Sequence, residues 1–88
     1  MRISEGFVLR EVAGQAVVIA VGEASEKFHG MINLNDTGKC IWQGIQEGMS
    51  EKEIVKKITD QYEVDPERAE NDVKQMVQKM YEVGVIEA

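Results

Sequence analysis

The 88-residue sequence predicts an α+β domain: a three-stranded antiparallel sheet followed by three helices. Three observations predict it. Up to Leu34 the apolar residues fall in short alternating or continuous stretches rich in Val and Ile, the pattern of strands. Beyond Asn35 they recur every three or four positions, the pattern of amphipathic helices. The change of period falls on Asn35, whose side chain is suited to accept hydrogen bonds from the first free N–H groups of a helix.

Phe7 to Val12 reads as the first strand. Gly14-Gln15 then suits a two-residue type II′ turn, with Gly at its first central position. Ala16 to Val21 is the most apolar segment of the chain and reads as the central strand. Gly22 to Lys27 is a polar connection. Phe28 to Leu34 is the third strand, with Phe28, Gly30, Ile32 and Leu34 on one face and His29, Met31 and Asn33 on the other. Gly30 weakens this strand and marks a candidate bulge.

The first long helix is expected over about 36–47, gathering Ile41, Trp42 and Ile45 with Leu34 on one side. Gly38 and Gly44 within it suggest close packing. Gly48 is placed to end it. Ser50-Glu51-Lys52-Glu53 is a capping box that opens the second helix, with Ile54, Val55, Ile58 and Tyr62 as its stripe. Asp65-Pro66-Glu67 opens the third: a cap, a proline at the first helical position and an acid at the positive helix end. Its stripe is Ala69, Val73, Met76, Val77 and Met80, with Tyr81 and Val83 at the margins. Gly84 ends it, and Val85-Ile86-Glu87 is expected to dock as a short extended tail.

Eighty-eight residues support one domain, 1–88, with one modest core. The net charge of −6 argues against nucleic-acid backbones and anionic membranes as partners. It is uneven: residues 1–34 carry three basic and four acidic side chains, residues 35–88 seven and twelve. The single cysteine, Cys40, cannot form an internal disulfide and reads as a packed core thiol. No secretory signal or membrane span is expected, so the cytoplasm is the predicted compartment. One His and one Cys leave no conventional metal cluster. No Gly-rich loop with a Lys cradles a phosphate, and the carboxylates lie on solvated helix faces. Neither a cofactor nor a catalytic role is expected.

What remains is recognition. In a sheet ordered by sequence the third strand has an unpaired outer edge, a template for another chain. A peptide adding there would gain main-chain hydrogen bonds from the edge and side-chain pockets from a neighbouring helix. Met31, Met49, Met76 and Met80 are candidates for an adaptable apolar cleft if the third helix crosses beside the third strand. Two things would blunt the edge: a bulge at Gly30, or the C-terminal tail. The last two helices also resemble a helix-turn-helix, which would make the chain a winged-helix DNA-binding regulator. Against that, Glu67, Glu70 and Asp72 outnumber Arg68 and Lys74 at the start of the reading helix. An adaptor that self-associates through the strand edge, giving a homodimer, is a further alternative.

Ile32-Asn33-Leu34-Asn35-Asp36-Thr37-Gly38, Ile41-Trp42, Gly48-Met49-Ser50-Glu51-Lys52-Glu53-Ile54, Tyr62-Glu63-Val64, and the Asp72-Val73 helix running to Gly84-Val85-Ile86 together resemble the PqqD family, that of coenzyme PQQ synthesis protein D. The resemblance covers essentially the whole chain. It implies a winged-helix-like recognition domain that binds the leader segment of a ribosomally made precursor peptide as a fourth strand. Such a domain presents the peptide to a modifying enzyme, commonly a radical S-adenosylmethionine protein, in PQQ or other peptide natural-product biosynthesis. Carried onto this sequence, the peptide-binding residues would be Phe28, His29, Met31, Ile32 and Asn33 on the strand and Val73, Met76, Val77 and Met80 on the helix. The Leu34-Asn35-Asp36-Thr37-Gly38 turn would be scaffold.

Overall fold

Alternating and helical periods separate in the structure where the sequence changes pattern. The structure, a computed structural model, describes residues 1–27 and 30–87. Five strands, β1 (Arg2–Ile3), β2 (Phe7–Val12), β3 (Gln15–Ala20), β4 (Met31–Leu34) and β5 (Ile86–Glu87), are joined by four helices, α1 (Ala24–Lys27), α2 (Asp36–Gln46), α3 (Glu51–Gln61) and α4 (Pro66–Glu82). β2, β3 and β4 form the expected antiparallel sheet in that order.

Several features depart from expectation. β1, too short to carry a periodic signal, pairs with the C-terminal β5, Arg2 opposite Glu87 and Ile3 opposite Ile86. An Arg2–Glu87 ion pair and the Ser4 N–H to Val85 carbonyl bond (2.8 Å) tie the two chain ends together. The stretch read as a polar connection contains the one-turn helix α1. The third strand is described only from Met31, because Gly30 is a bend with φ +143° and the expected strand positions Phe28 and His29 lie outside the described residues.

The β2–β3 turn is shifted by one residue from the expected Gly14-Gln15. Val12 pairs with Gln15, so Ala13 and Gly14 are the two turn residues, both with positive φ (52° and 81°). That is the type I′ arrangement, whose twist matches the flanking strands. A Cβ in the left-handed region costs roughly 1–2 kcal/mol, and Asn tolerates it better than Ala. Ala13→Asn is therefore expected to raise stability by about 0.5–1 kcal/mol, read as a higher urea midpoint at constant slope.

The helix ends follow the capping chemistry in the sequence. The Gly38 N–H donates to Asn35 Oδ1 (2.8 Å), opening α2. Ser50 and Glu53 form both bonds of the capping box (3.2 and 3.1 Å) at α3. Asp65 Oδ1 accepts from the Glu67 N–H (3.0 Å), with Pro66 at the start of α4. α3 stops at Gln61, so Tyr62 is an exposed, extended cap residue and not part of the buried stripe.

The inner face of the sheet carries Phe7, Leu9, Val18, Ile32 and Leu34. They pack against Ile41, Trp42 and Ile45 of α2, Ile54 and Ile58 of α3, and Ala69, Val73, Val77 and Met80 of α4. Cys40 is buried as expected, its thiol 3.8 Å from Gln61 Oε1. Trp42 is fully buried, and its indole N–H has no acceptor among the described residues, a cost of about 1–3 kcal/mol. At the rim, Lys39 Nζ on α2 bonds Glu11 Oε1 on β2 (2.5 Å). Hydrogen bonding and charge from Lys39 lower the Glu11 pKa, and Glu11 raises that of Lys39 in turn.

Candidate functional site

The register of the sheet decides which backbone groups of β4 are free. In a hairpin closed by a two-residue turn, the pair flanking the turn exchanges both of its hydrogen bonds, and bonded pairs alternate with non-bonded ones from there. Val12 and Gln15 are that first pair. Arg10 with Val17 and Val8 with Ile19 continue the series, and the Val21 N–H to Gly6 carbonyl bond (2.7 Å) extends it. Gln15, Val17 and Ile19 thus turn their backbone groups toward β2. Ala16 and Val18 turn theirs toward β4, where they meet Leu34 and Ile32.

Met31 and Asn33 are therefore left with N–H and C=O groups directed away from β3, along the outer edge. Among the described residues no strand pairs on that side. Of the two features expected to blunt the edge, the C-terminal tail pairs with β1 instead, and Gly30 lies just before the strand. The open edge is thus a two-rung ladder of donors and acceptors.

Side chains alternate about this edge. Ile32 and Leu34 point inward and are half-buried against the core, and Met76 of α4 is half-buried against the same core. Val73, Val77 and Met80 are at most 4% exposed, so they form the floor and not an open wall. Met31 is 61% exposed and lies on the opposite face of the sheet, opposite Ile19. The expectation that Met31 shares one cleft with the helix methionines is overturned by this parity. Met31 reaches the edge with its backbone. Asn33 is exposed on that same outer face, opposite Val17. Phe28 and His29 lie outside the described residues. Met49 is half-buried at the α2–α3 junction, away from the edge.

Leu34, which the alternation sets on the inward face with Ile32 but the family resemblance assigns to the scaffold turn, lies beside the same edge.

Elsewhere an open hollow runs along α3, lined by Met49, Glu53, Lys56, Lys57, Asp60 and Gln61. Another lies between the chain ends at Arg2, Ile3, Glu5 and Glu87. Neither borders β4, and both are lined largely by charged side chains on solvated faces. Among the described residues no group of three or more His, Cys, Asp or Glu is placed to hold a metal ion. No described helix is long and apolar enough to cross a membrane.

The profile of the family described as coenzyme PQQ synthesis protein D (PqqD) matches residues 15–86, from the first residue of β3 into β5. The chain belongs to the PqqD family. Two solved structures share the PqqD-like fold seen here. TbiB1, in complex with the TbiA(beta) leader peptide, superposes with a TM-score of 0.81 at 24% identity, covering 100% of this chain and 96% of that one. Lasso peptide synthetase B1, complexed with the leader peptide, gives 0.75 at 23% identity, covering 92% and 89%. At these identities the likeness establishes the fold. No curated protein matches the chain.

Proposed function

We propose that this PqqD-family chain binds the leader segment of a ribosomally made precursor peptide by adding it as a fourth strand to β4. It then presents the peptide to a modifying enzyme, of which a radical S-adenosylmethionine protein is one kind, and catalyses nothing itself. The observation that carries the reading is the open β4 edge, where the outward backbone groups of Met31 and Asn33 alternate with inward Ile32 and Leu34, whose side chains pack on the same core as Met76 of α4. Strand addition uses such an edge for affinity and the adjoining apolar surface for selection. Both structural relatives named above are complexes with leader peptides, and this supports the same role here. The peptide would meet Phe28, His29, Met31, Ile32 and Asn33 along the strand and Met76 on the helix, with Val73, Val77 and Met80 reached only by displacing what covers them. The work is expected in the cytoplasm, where the precursor is made.

The test is a titration of isotope-labelled protein with the leader of the precursor encoded beside its gene. Amide shifts are expected to concentrate on residues 28–34 and on the apolar stripe of α4. Saturating peptide that shifts the α3 hollow alone, or nothing, overturns the assignment.

A further inference from the structure

The sheet has a second face that the core does not use. Val8, Val12, Val17, Ile19 and Met31 share it, as the pairings Val8–Ile19, Ile19–Met31 and Val12–Gln15 require. None of them belongs to the core cluster or packs against it. Val12 and Met31 are 57% and 61% exposed, Val8 and Ile19 are half-buried, and Val17, at the centre of the face, is 3% exposed. An outward sheet face in a small α+β domain is ordinarily polar, alternating with the apolar inner one. Here five of the eight described outward positions are apolar, Arg10, Gln15 and Asn33 being the others. Val8, Ile19 and Met31 form a continuous row across the three strands with Val17 beside it, and apolar surface of this kind marks an interaction site.

Arg10 is the single charged side chain among the described strand positions of this face. It donates only to the carbonyl of its neighbour Leu9 (3.4 Å) and has no ion pair among the described residues. The chain as a whole carries −6. A second copy would bring that repulsion and no described strand carboxylate on the same face to meet Arg10, so self-pairing is disfavoured. The occupant that fits is a protein with an apolar surface and a carboxylate opposite the guanidinium.

Position narrows it further. A strand added at β4 continues the alternation, so its residues opposite Met31 and Asn33 emerge on this same face. The face and the outward side chains of the bound peptide become one surface. We infer that the outer face of β2–β3–β4 is the docking surface for the enzyme that modifies the bound peptide; this rests on the peptide-binding reading above. The enzyme then meets the recognition domain and part of its peptide together, and peptide binding strengthens enzyme docking.

The experiment measures binding of the full chain to two probes, the leader peptide and the modifying enzyme encoded beside its gene, the enzyme with and without leader. Arg10→Glu and Val12→Asp sit on exposed positions away from the β4 edge. Each is expected to weaken enzyme binding at least tenfold while leaving leader affinity within twofold and the thermal midpoint near the parent's. A charge control, Glu63→Lys on the α3–α4 connection, is expected to leave both affinities unchanged. Unaltered enzyme affinity in both face variants overturns the docking surface while leaving the peptide reading intact. So does a parent chain that binds leader but not enzyme, or face variants whose effect is to dissociate a homodimer. A parent chain that binds no leader overturns the underlying reading instead.

Discussion

Met31→Pro is expected to leave the domain folded and to reduce leader affinity at least 30-fold, about 2 kcal/mol. The asymmetry comes from register. The Met31 N–H points away from β3, so a pyrrolidine ring there removes no bond of the existing sheet. It deletes a donor that an incoming strand needs and places ring carbons in its path. One lost hydrogen bond accounts for about 0.5–1.5 kcal/mol, and displacement of the strand by the ring adds to it. Gly30, lacking a Cβ, relieves the restriction proline imposes on the residue before it. Ile32→Pro is the informative contrast. Its N–H faces Val18 in the sheet, so the same substitution one residue later breaks β3–β4 pairing and lowers stability itself. Calorimetric titration with thermal unfolding of both variants separates the two effects. A folded Met31→Pro chain with parental affinity would mean that the peptide does not add to β4.

How much of this was readable in advance depends on the range of the forces involved. The helix starts were, because caps are local: Asn35, Ser50 and Asp65 each hold an N–H two or three residues away. So was the central strand, because a run such as Ala16 to Val21 has few other places to go. The β1–β5 clasp was not, since its two residues on each side mean nothing until chain ends 85 positions apart come together. The hairpin turn was misplaced by one residue because sequence favours Gly at either turn position. The choice of Ala13-Gly14 sets Leu9 opposite Val18, where a Gly14-Gln15 turn would set Glu11 there. Of the elements that carry the candidate site, the strand was legible over Met31–Leu34 and the helix only in part. The periodicity of α4 located Val73, Met76, Val77 and Met80 on one stripe, yet it could not say that three of them would be sealed and one left at the margin. The facing of Met31, by contrast, was legible: strand alternation sets it on the face opposite to Ile32 and Leu34, against a cleft shared with the helix methionines.

Gly44 is the residue whose meaning most needed the structure, and its replacement gives the second large effect. In sequence it is a poor helix former in the middle of α2. In the fold, a Cβ on Gly44 would lie 2.7 Å from Cγ1 and 3.2 Å from Cδ1 of Ile54, a fully buried side chain of α3. Cγ1 is not a free end that swings aside, so α2 and α3 approach as closely as they do because the Cβ is missing. Ala would return up to about 1 kcal/mol of helix propensity but meets this clash, and overpacking of this sort costs roughly 1–3 kcal/mol. Gly44→Ala is thus expected to be destabilising by about 1 kcal/mol. Gly44→Val, which adds branching against the same wall, should lose about 3 kcal/mol, a large fraction of the stability of a domain this size. The cause is tested by a double-mutant cycle under urea. Ile54→Ala removes Cγ1 and alone costs about 2–5 kcal/mol through the cavity it leaves. In that background the added methyl of Gly44→Ala enters empty space and becomes stabilising. A coupling of about 1–3 kcal/mol is expected between the two positions. Additive effects would instead trace the loss to the backbone of α2, and the close helix crossing that sets α3, and through it α4, beside the sheet would need another explanation.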